Sequence, residues 1–310
     1  MTAPPPESSD VATAAPSAAP AARDAAPTHE LRTDPHLGTR VHVVGARQQR
    51  PNLPSDGCPF CVGGREAPDP YDVHWFPNRW PAMPGERCEV ILYTSDHDAH
   101  LWSLGAAGVR RVIDLWAERT RVLGARDDVD LVLVFENRGA EVGATISHPH
   151  GQIYAYDHVP ERPARRFAAG WRPDPDPGRR LVARVGEWTC TVPHAPSFPV
   201  ELSVAASEPI GDLVAADDEQ RDTLAQLLVD VLARLDQLYD RPMPYMLWLN
   251  QRPSDGSSPD AWFNIEIVSP WRDAGVQRFI AAAEVACQEY FNPVVPEELA
   301  ERLRRLPGAG

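Results

Sequence analysis

The chain of 310 residues carries 30 Lys plus Arg against 44 Asp plus Glu, a formal charge of −14, with 43% hydrophobic and 24% charged residues. That length suits one large domain or two moderate ones, and the acidic balance argues against a general nucleic-acid binder while leaving room for a local basic pocket that takes a small phosphate ester. No apolar run approaches the ~20 residues of a membrane span, no secretory signal pattern opens the chain, and five cysteines, an odd number, do not read as a disulfide framework; a reducing, cytoplasmic setting is expected.

Residues 1–28 are dominated by Ala, Pro and Ser, which bury too little apolar surface to offset ordering entropy; a disordered tail is expected. Residues 31–44 read as strand, turn, strand, followed by a basic loop with Arg47 and Arg50. Cys58-Pro59-Phe60-Cys61 is either a redox pair or half of a metal site. No thioredoxin-like βαβ pattern surrounds it, which disfavours redox. The chain has no second C-x-x-C, so two further ligands would have to come from elsewhere. Residues 71–82 alternate and are rich in aromatics, which predicts a strand running into a turn. Trp75, Phe76 and Trp80 are core candidates there, with one face suited to stacking a base. Residues 88–93 predict a strand. Residues 104–123 predict a helix, whose core-facing stripe is Val109, Val112, Ile113, Leu115, Trp116, Val122 and Leu123.

A strand at 131–135 leads into His148-Pro149-His150-Gly151-Gln152. Pro149 stiffens this segment and biases His148 toward extended backbone. On an extended chain His148, His150 and Gln152 point the same way. Gly151 permits close approach of a ligand, and the Gln152 amide can donate to an anionic oxygen. Gly139 and Gly143 bracket a flexible loop upstream. Strand, loop and histidine-bearing strand together could hold a phosphate against an imidazole, although an isolated His-x-His is more often incidental or a metal pair.

Residues 159–180, rich in Pro, Arg and Asp, read as a long loop or linker. The remainder echoes the first half. Residues 187–205 repeat strand, Pro-rich turn, strand; 217–239 repeat the amphipathic helix; 245–250 repeat the strand at 131–137. Residues 261–270 stand where the His-Pro-His strand stood, with Asn264 and Glu266 in place of the histidines. A helix is expected over 277–290, with Phe279, Ile280, Val285 and Ala286 on one side, and a short amphipathic helix over 296–306. Cys88, Cys190 and Cys287 read as packing residues.

Phe135-Glu136-Asn137-Arg138-Gly139, followed by His148-Pro149-His150-Gly151-Gln152-Ile153-Tyr154-Ala155, resembles the active-site signature of the galactose-1-phosphate uridylyltransferases, a branch of the histidine-triad superfamily. Weaker similarity runs over most of residues 30–306. The resemblance implies an α+β fold of two histidine-triad-like repeats, residues 29–158 and 181–310, whose antiparallel sheets form a half-barrel with packed helices and whose site is completed in a homodimer. It implies His150 as the nucleophile, with Gln152, Asn137 and Thr145 positioning phosphate oxygens. A structural zinc would be held by Cys58, Cys61, His97 and His148, with His100 a rival for His97. Arg47 and Arg50 resemble the family's phosphate-reaching arginines, Asn78 its nucleotide-binding asparagine, and Glu284 and, more loosely, Gln288 its hexose-contacting residues; Glu284 reads equally as an exposed acid on a helix. The implied reaction joins a UDP-hexose and a hexose 1-phosphate in ping-pong fashion through a uridylyl-histidine. Arg79 departs from the pattern, because the family usually has an acid there. Asn264 and Glu266 also depart, since some members carry a second metal site with histidines in that strand. Two alternatives share the motif: a related nucleotidyltransferase or phosphorylase acting on another sugar nucleotide or dinucleotide, the phosphorylase using phosphate as acceptor, and a zinc-stabilised nucleotide-binding protein without catalysis. Gly151 favours the uridylyl branch.

Overall fold

Two exposed strands, β1 (His29–Thr33) and β2 (Arg40–Val44), pair as an antiparallel hairpin and run into a 3-10 turn over Gly45–Gln49. In the computed structural model, which describes residues 29–49 and 57–309, nine further strands form one sheet. They are β3 (His74–Pro77), β4 (Cys88–Leu92), β5 (Leu131–Arg138), β6 (His150–Tyr156), β7 (Leu181–Val185), β8 (Trp188–Thr191), β9 (Val200–Ala206), β10 (Tyr245–Asn250) and β11 (Asn264–Ser269). Their order is β3-β4-β6-β5-β10-β11-β9-β8-β7, and every pairing is antiparallel. The order reads alike from the β5–β10 junction outward: β5, β6, β4, β3 on one side and β10, β11, β9, β8 on the other. The expected tail over 1–28, and Arg50, lie outside the described residues.

Each half carries one long helix between equivalent strands, α1 (Gly105–Gly124) after β4 and α3 (Asp218–Leu238) after β9. The apolar stripe foreseen in α1 is buried at Val109, Val112, Ile113, Leu115, Trp116 and Leu123. At the start of α3, Asp217 accepts from the Gln220 N–H while the Gln220 side chain accepts from the Asp217 N–H, a capping box that starts the helix. The two helices pack together and against one face of the sheet, in a continuous core that includes Ile91, Trp116, Val134, Ile153, Leu228 and Ile267. Arg119 of α1 makes two hydrogen bonds, 2.9 and 2.7 Å, to Glu89 of β4, and its guanidinium lies 3.6 Å over the Trp75 ring. With both side chains under a tenth exposed, each charge depends on the other.

Three local expectations change. The segment read as loop contains α2 (Glu161–Ala168) and a 3-10 turn over Gly178–Arg180. Its prolines do not oppose the helix: Pro160 is the N-cap and Pro163 falls in the first turn, where no backbone N–H is needed. Arg162 and Arg166, one turn apart, bond Glu266 at 2.7 and 3.0 Å, and Arg166 also bonds Asn264 at 2.6 Å. A guanidinium therefore occupies the ground between the two residues that replace histidines in the late strand. The expected helix over 277–290 shrinks to α4 (Ala282–Cys287), after the short pair β12 (Trp271–Asp273) and β13 (Val276–Gln277). Arg278 is drawn away by bonds to the carbonyls of Ser197 and Phe291, and Gln288 ends α4 at a φ of 56°. Phe279, Ile280 and Val285 point to solvent, and Cys287, expected to pack, is exposed. The chain closes with α5 (Pro296–Arg305), whose Leu299, Ala300 and Leu303 join the core.

Candidate active site and metal centre

Strand β6 sets the site by its pleat. His150, Gln152, Tyr154 and Tyr156 alternate with buried Gly151, Ile153 and Ala155. The same alternation corrects the expectation for Gly151. It faces the helices, and a Cβ there would lie 2.2 Å from the Tyr93 hydroxyl oxygen. Glycine is required by a tyrosine behind the strand rather than by a ligand in front of it.

His150 and Gln152 line a cavity of about 420 Å³ together with Phe60, Phe76, Asn78, Trp80, Thr145, Arg79 and Glu66. The Phe60 ring lies edge-on to His150, with centroids 5.1 Å apart. His150 Nδ1 is 2.8 Å from the carbonyl oxygen of His148. A carbonyl only accepts, so Nδ1 carries the proton and the in-plane lone pair is on Nε2. The partner that fixes the tautomer is thus the backbone of the first histidine itself. Asn78 is held by its own turn, its side-chain oxygen accepting from Trp80 N–H at 2.9 Å. Arg79 pairs with Glu66 at 2.8 Å. Arg47 donates to the Tyr154 hydroxyl at 3.1 Å, two residues beyond Gln152 on the same face. Asn137 shares the face of Phe135, which pairs with Gln152, but is not among the residues lining the cavity.

Beside this cavity, which Cys58 also lines, Cys58, Cys61, His97 and His148 bring one ligand atom each to within 4.8 Å of one another. His148 is fully buried. Its Nε2 lies 2.8 Å from the Thr94 carbonyl and 2.9 Å from the Tyr71 hydroxyl, which itself donates to the Phe60 carbonyl at 2.6 Å. Both neighbours accept from Nε2, so Nδ1 presents a lone pair, 3.7 Å from Cys61 Sγ. His97 Nδ1 is 3.4 Å from the same sulfur, and its Nε2 faces the Ser147 hydroxyl at 3.1 Å. His100 is outside the group. Burial, and then Cys58 beside it, push the Cys61 thiol up, and burial holds His148 below the usual histidine range. Two sulfurs and two unprotonated imidazole nitrogens fit a divalent, tetrahedral metal, which would supply the positive charge that two adjacent thiolates lack.

Glu284 and Gln288 do not reach this cavity within one chain. Glu284 is buried in α4, where it accepts from Ala281 N–H at 2.7 Å and Phe291 N–H at 2.9 Å and pairs with Arg278. Tyr71 and Glu66 escaped the sequence reading. Tyr71 stood among aromatics with no mark of its proximity to His148, and Glu66 had no motif around it.

Residues 80–160 match the family described as galactose-1-phosphate uridyl transferase, N-terminal domain. A galactose-1-phosphate uridylyltransferase of Thermotoga maritima is 33% identical to this chain over 310 aligned residues, covering 89% of this chain and 98% of that protein. One from Streptomyces lividans is 33% identical over 311 residues, covering 90% and 87%. A solved uridylyltransferase structure superposes with a TM-score of 0.81 at 26% identity over 89% of this chain and 97% of its own. An ADP-glucose phosphorylase from Arabidopsis thaliana, solved with bound ADP-glucose, shares the fold at 21% identity, with a TM-score of 0.71 over 90% and 99% of the two chains.

Proposed function

Since the chain belongs to the galactose-1-phosphate uridylyltransferase family, we propose that it exchanges a uridylyl group between UDP-glucose and galactose 1-phosphate, with His150 as the group that carries it. The observation that supports this reading is the 2.8 Å bond from His150 Nδ1 to the His148 carbonyl, which leaves the nucleophilic lone pair on Nε2. In the proposed first step Nε2 attacks the α-phosphorus, the bond to the β-phosphate oxygen breaks, and glucose 1-phosphate leaves. In the second, a phosphate oxygen of galactose 1-phosphate attacks the uridylyl-histidine and returns the imidazole. Splitting one displacement in two lets a single cavity serve both sugars and predicts ping-pong kinetics. Gln152, Thr145 and Asn137 are assigned to the non-bridging oxygens, where a donor aimed at developing charge is typically worth ~10²–10³ in rate. Asn78 is assigned to the nucleotide. Arg47, on the same face beyond Gln152, and Arg50 are assigned to phosphates.

Cys58, Cys61, His97 and His148 would hold zinc as a closed, structural site. Its contribution would be rigidity: it clamps the residue whose carbonyl orients His150. Residues 29–158 would form the catalytic repeat and 181–310 a repeat that keeps the architecture without the histidines. A homodimer would place Glu284 and Gln288, both outside the cavity of their own chain, near that of the partner. The solvent-facing Phe279, Ile280, Val285 and Phe291, with Leu31, Leu37, Val41 and Val43 of the hairpin, offer apolar surface for the second copy. All five cysteines are free, in keeping with a reducing, cytoplasmic setting, and no helix among the described residues is long and apolar enough to cross a membrane.

The test is intact mass spectrometry after incubation with UDP-glucose. The wild-type protein is expected to gain one uridylyl group, discharged by galactose 1-phosphate, and His150→Asn to gain none while keeping its fold. Discharge by inorganic phosphate alone would replace this reading with a phosphorylase, and an adduct on His150→Asn would reject the nucleophile.

A further inference from the structure

We infer that Glu66 reads the ribose of the nucleotide by accepting its 2′- and 3′-hydroxyls, and that Arg79 is the positioning residue that presents the carboxylate. The inference rests on the uridylyl-transfer reading above. Among the described residues Glu66 is the one carboxylate lining the cavity that holds His150 and Gln152. Its side chain is 19% exposed, and Arg79, 45% exposed, engages its Oε1 at 2.8 Å. Among the described residues Oε2 makes no hydrogen bond, so it remains as an acceptor.

The chemistry of a carboxylate selects among the parts of a uridylyl group. An ionised carboxylate only accepts hydrogen bonds. The phosphate is an anion and is repelled. The uracil ring offers one N–H between two carbonyl acceptors. The ribose alone offers two hydroxyl donors side by side, which match one carboxylate. The other two parts have their own walls in the same cavity: aromatic rings at Phe60, Phe76 and Trp80, and the imidazole and amide of His150 and Gln152.

The carboxylate is also rigidly carried. Glu66 lies on the turn that follows Cys61, where Glu66 N–H donates to the Pro59 carbonyl at 3.0 Å and Gly64 N–H to the Cys61 carbonyl at 2.8 Å. A Cβ on Gly64 would lie 2.6 Å from the Pro59 oxygen, so the turn closes only with glycine there. The ligand-bearing Cys58–Cys61 loop thus sets where Glu66 stands. An exposed Arg–Glu pair with no other role would contribute little to stability. The lining position of Glu66 gives this pair a ligand to act on.

The experiment is calorimetric titration of the metal-loaded protein with UMP and with 2′-deoxy-UMP. A hydrogen bond to a charged group makes the wild type favour UMP by about 10-fold or more. Glu66→Ala is expected to bind the two within about 3-fold of each other, because the lost partner is the one that told them apart. Glu66→Gln, which keeps the side-chain volume, guards against a folding defect and is expected to show an intermediate ratio. Arg79→Met should lower the ratio and Arg79→Lys restore part of it, which a purely structural role for the pair would not produce. An unchanged ratio in both Glu66 variants, or a wild type that binds both nucleotides equally, overturns the assignment while leaving the uridylyl reading in place. A wild type that binds neither overturns both.

Discussion

Glu136 is the second residue of the motif that begins at Phe135, yet its side chain points away from the cavity and into the core. It is 4% exposed, its Oε1 accepts from the Tyr245 hydroxyl at 3.0 Å, and its Oε2 has no partner among the described residues. Burial pushes its carboxyl from the ordinary 4.5 up to about 7, with the nearby Arg138 charge and the Tyr245 and Tyr93 hydroxyls opposing the rise. The folded protein therefore holds a proton that the unfolded chain gives up between those two values. Stability from this group is fully present below the unfolded value and is lost as pH rises toward 7, in total about 3 kcal/mol. Glu136→Gln keeps the shape and the acceptor for Tyr245 and cannot ionise. Urea unfolding of both metal-loaded proteins at about pH 4.5 and about pH 8 measures the linkage directly. The variant should gain about 3 kcal/mol on the wild type between the two conditions. A stability difference that stays constant within ~0.5 kcal/mol across that range would show that Glu136 titrates alike in both states and would refute the argument.

Two other perturbations test the wall behind His150. Gly151→Ala places a methyl 2.2 Å from the Tyr93 hydroxyl oxygen and should cost about 1–3 kcal/mol with a fall in turnover. Adding Tyr93→Phe removes that oxygen but leaves a ring carbon at 3.0 Å, so thermal unfolding should recover only in part. Full recovery, or no effect of Gly151→Ala, would contradict the placement. Chelation, or Cys61→Ser, should remove one bound metal per chain, lower the melting temperature and open the turn around residues 57–67 to protease. Retention of metal by Cys61→Ser, measured by elemental analysis, would dissolve the four-ligand cluster.

Much of the architecture was legible because its signals are local. The stripe of α1, the strands β4, β5, β10 and β11, and the equivalence of the two halves follow from periodicities of 3.6 and 2 that the backbone enforces within a few residues. The Cys-x-x-Cys and the His-Pro-His are likewise contiguous, and the resemblance of the motif was enough to indicate the family. Local reasoning failed where composition and packing disagreed. The Pro-rich stretch from Pro160 contains the helix Glu161–Ala168 because its prolines fall where no N–H is required and because Arg162 and Arg166 find Glu266 about 100 residues away. The apolar residues at 279–285 read as a helix face, yet within one chain it is Glu284 that is buried.

The chain alone determined which residue types are available for chemistry and the face of β6 on which His150 and Gln152 stand, since both are consequences of order along the backbone. Only the tertiary structure decided that His97 rather than His100 joins two cysteines and His148, that Gly151 is small because of Tyr93, that Glu66 enters the cavity, and that burial raises the proton affinity of Glu136. The reason is common to all four. Ligand sets, steric room and proton affinity are set by distances through space and by exclusion of water, and these depend on strands and helices that meet only once the sheet has closed over them.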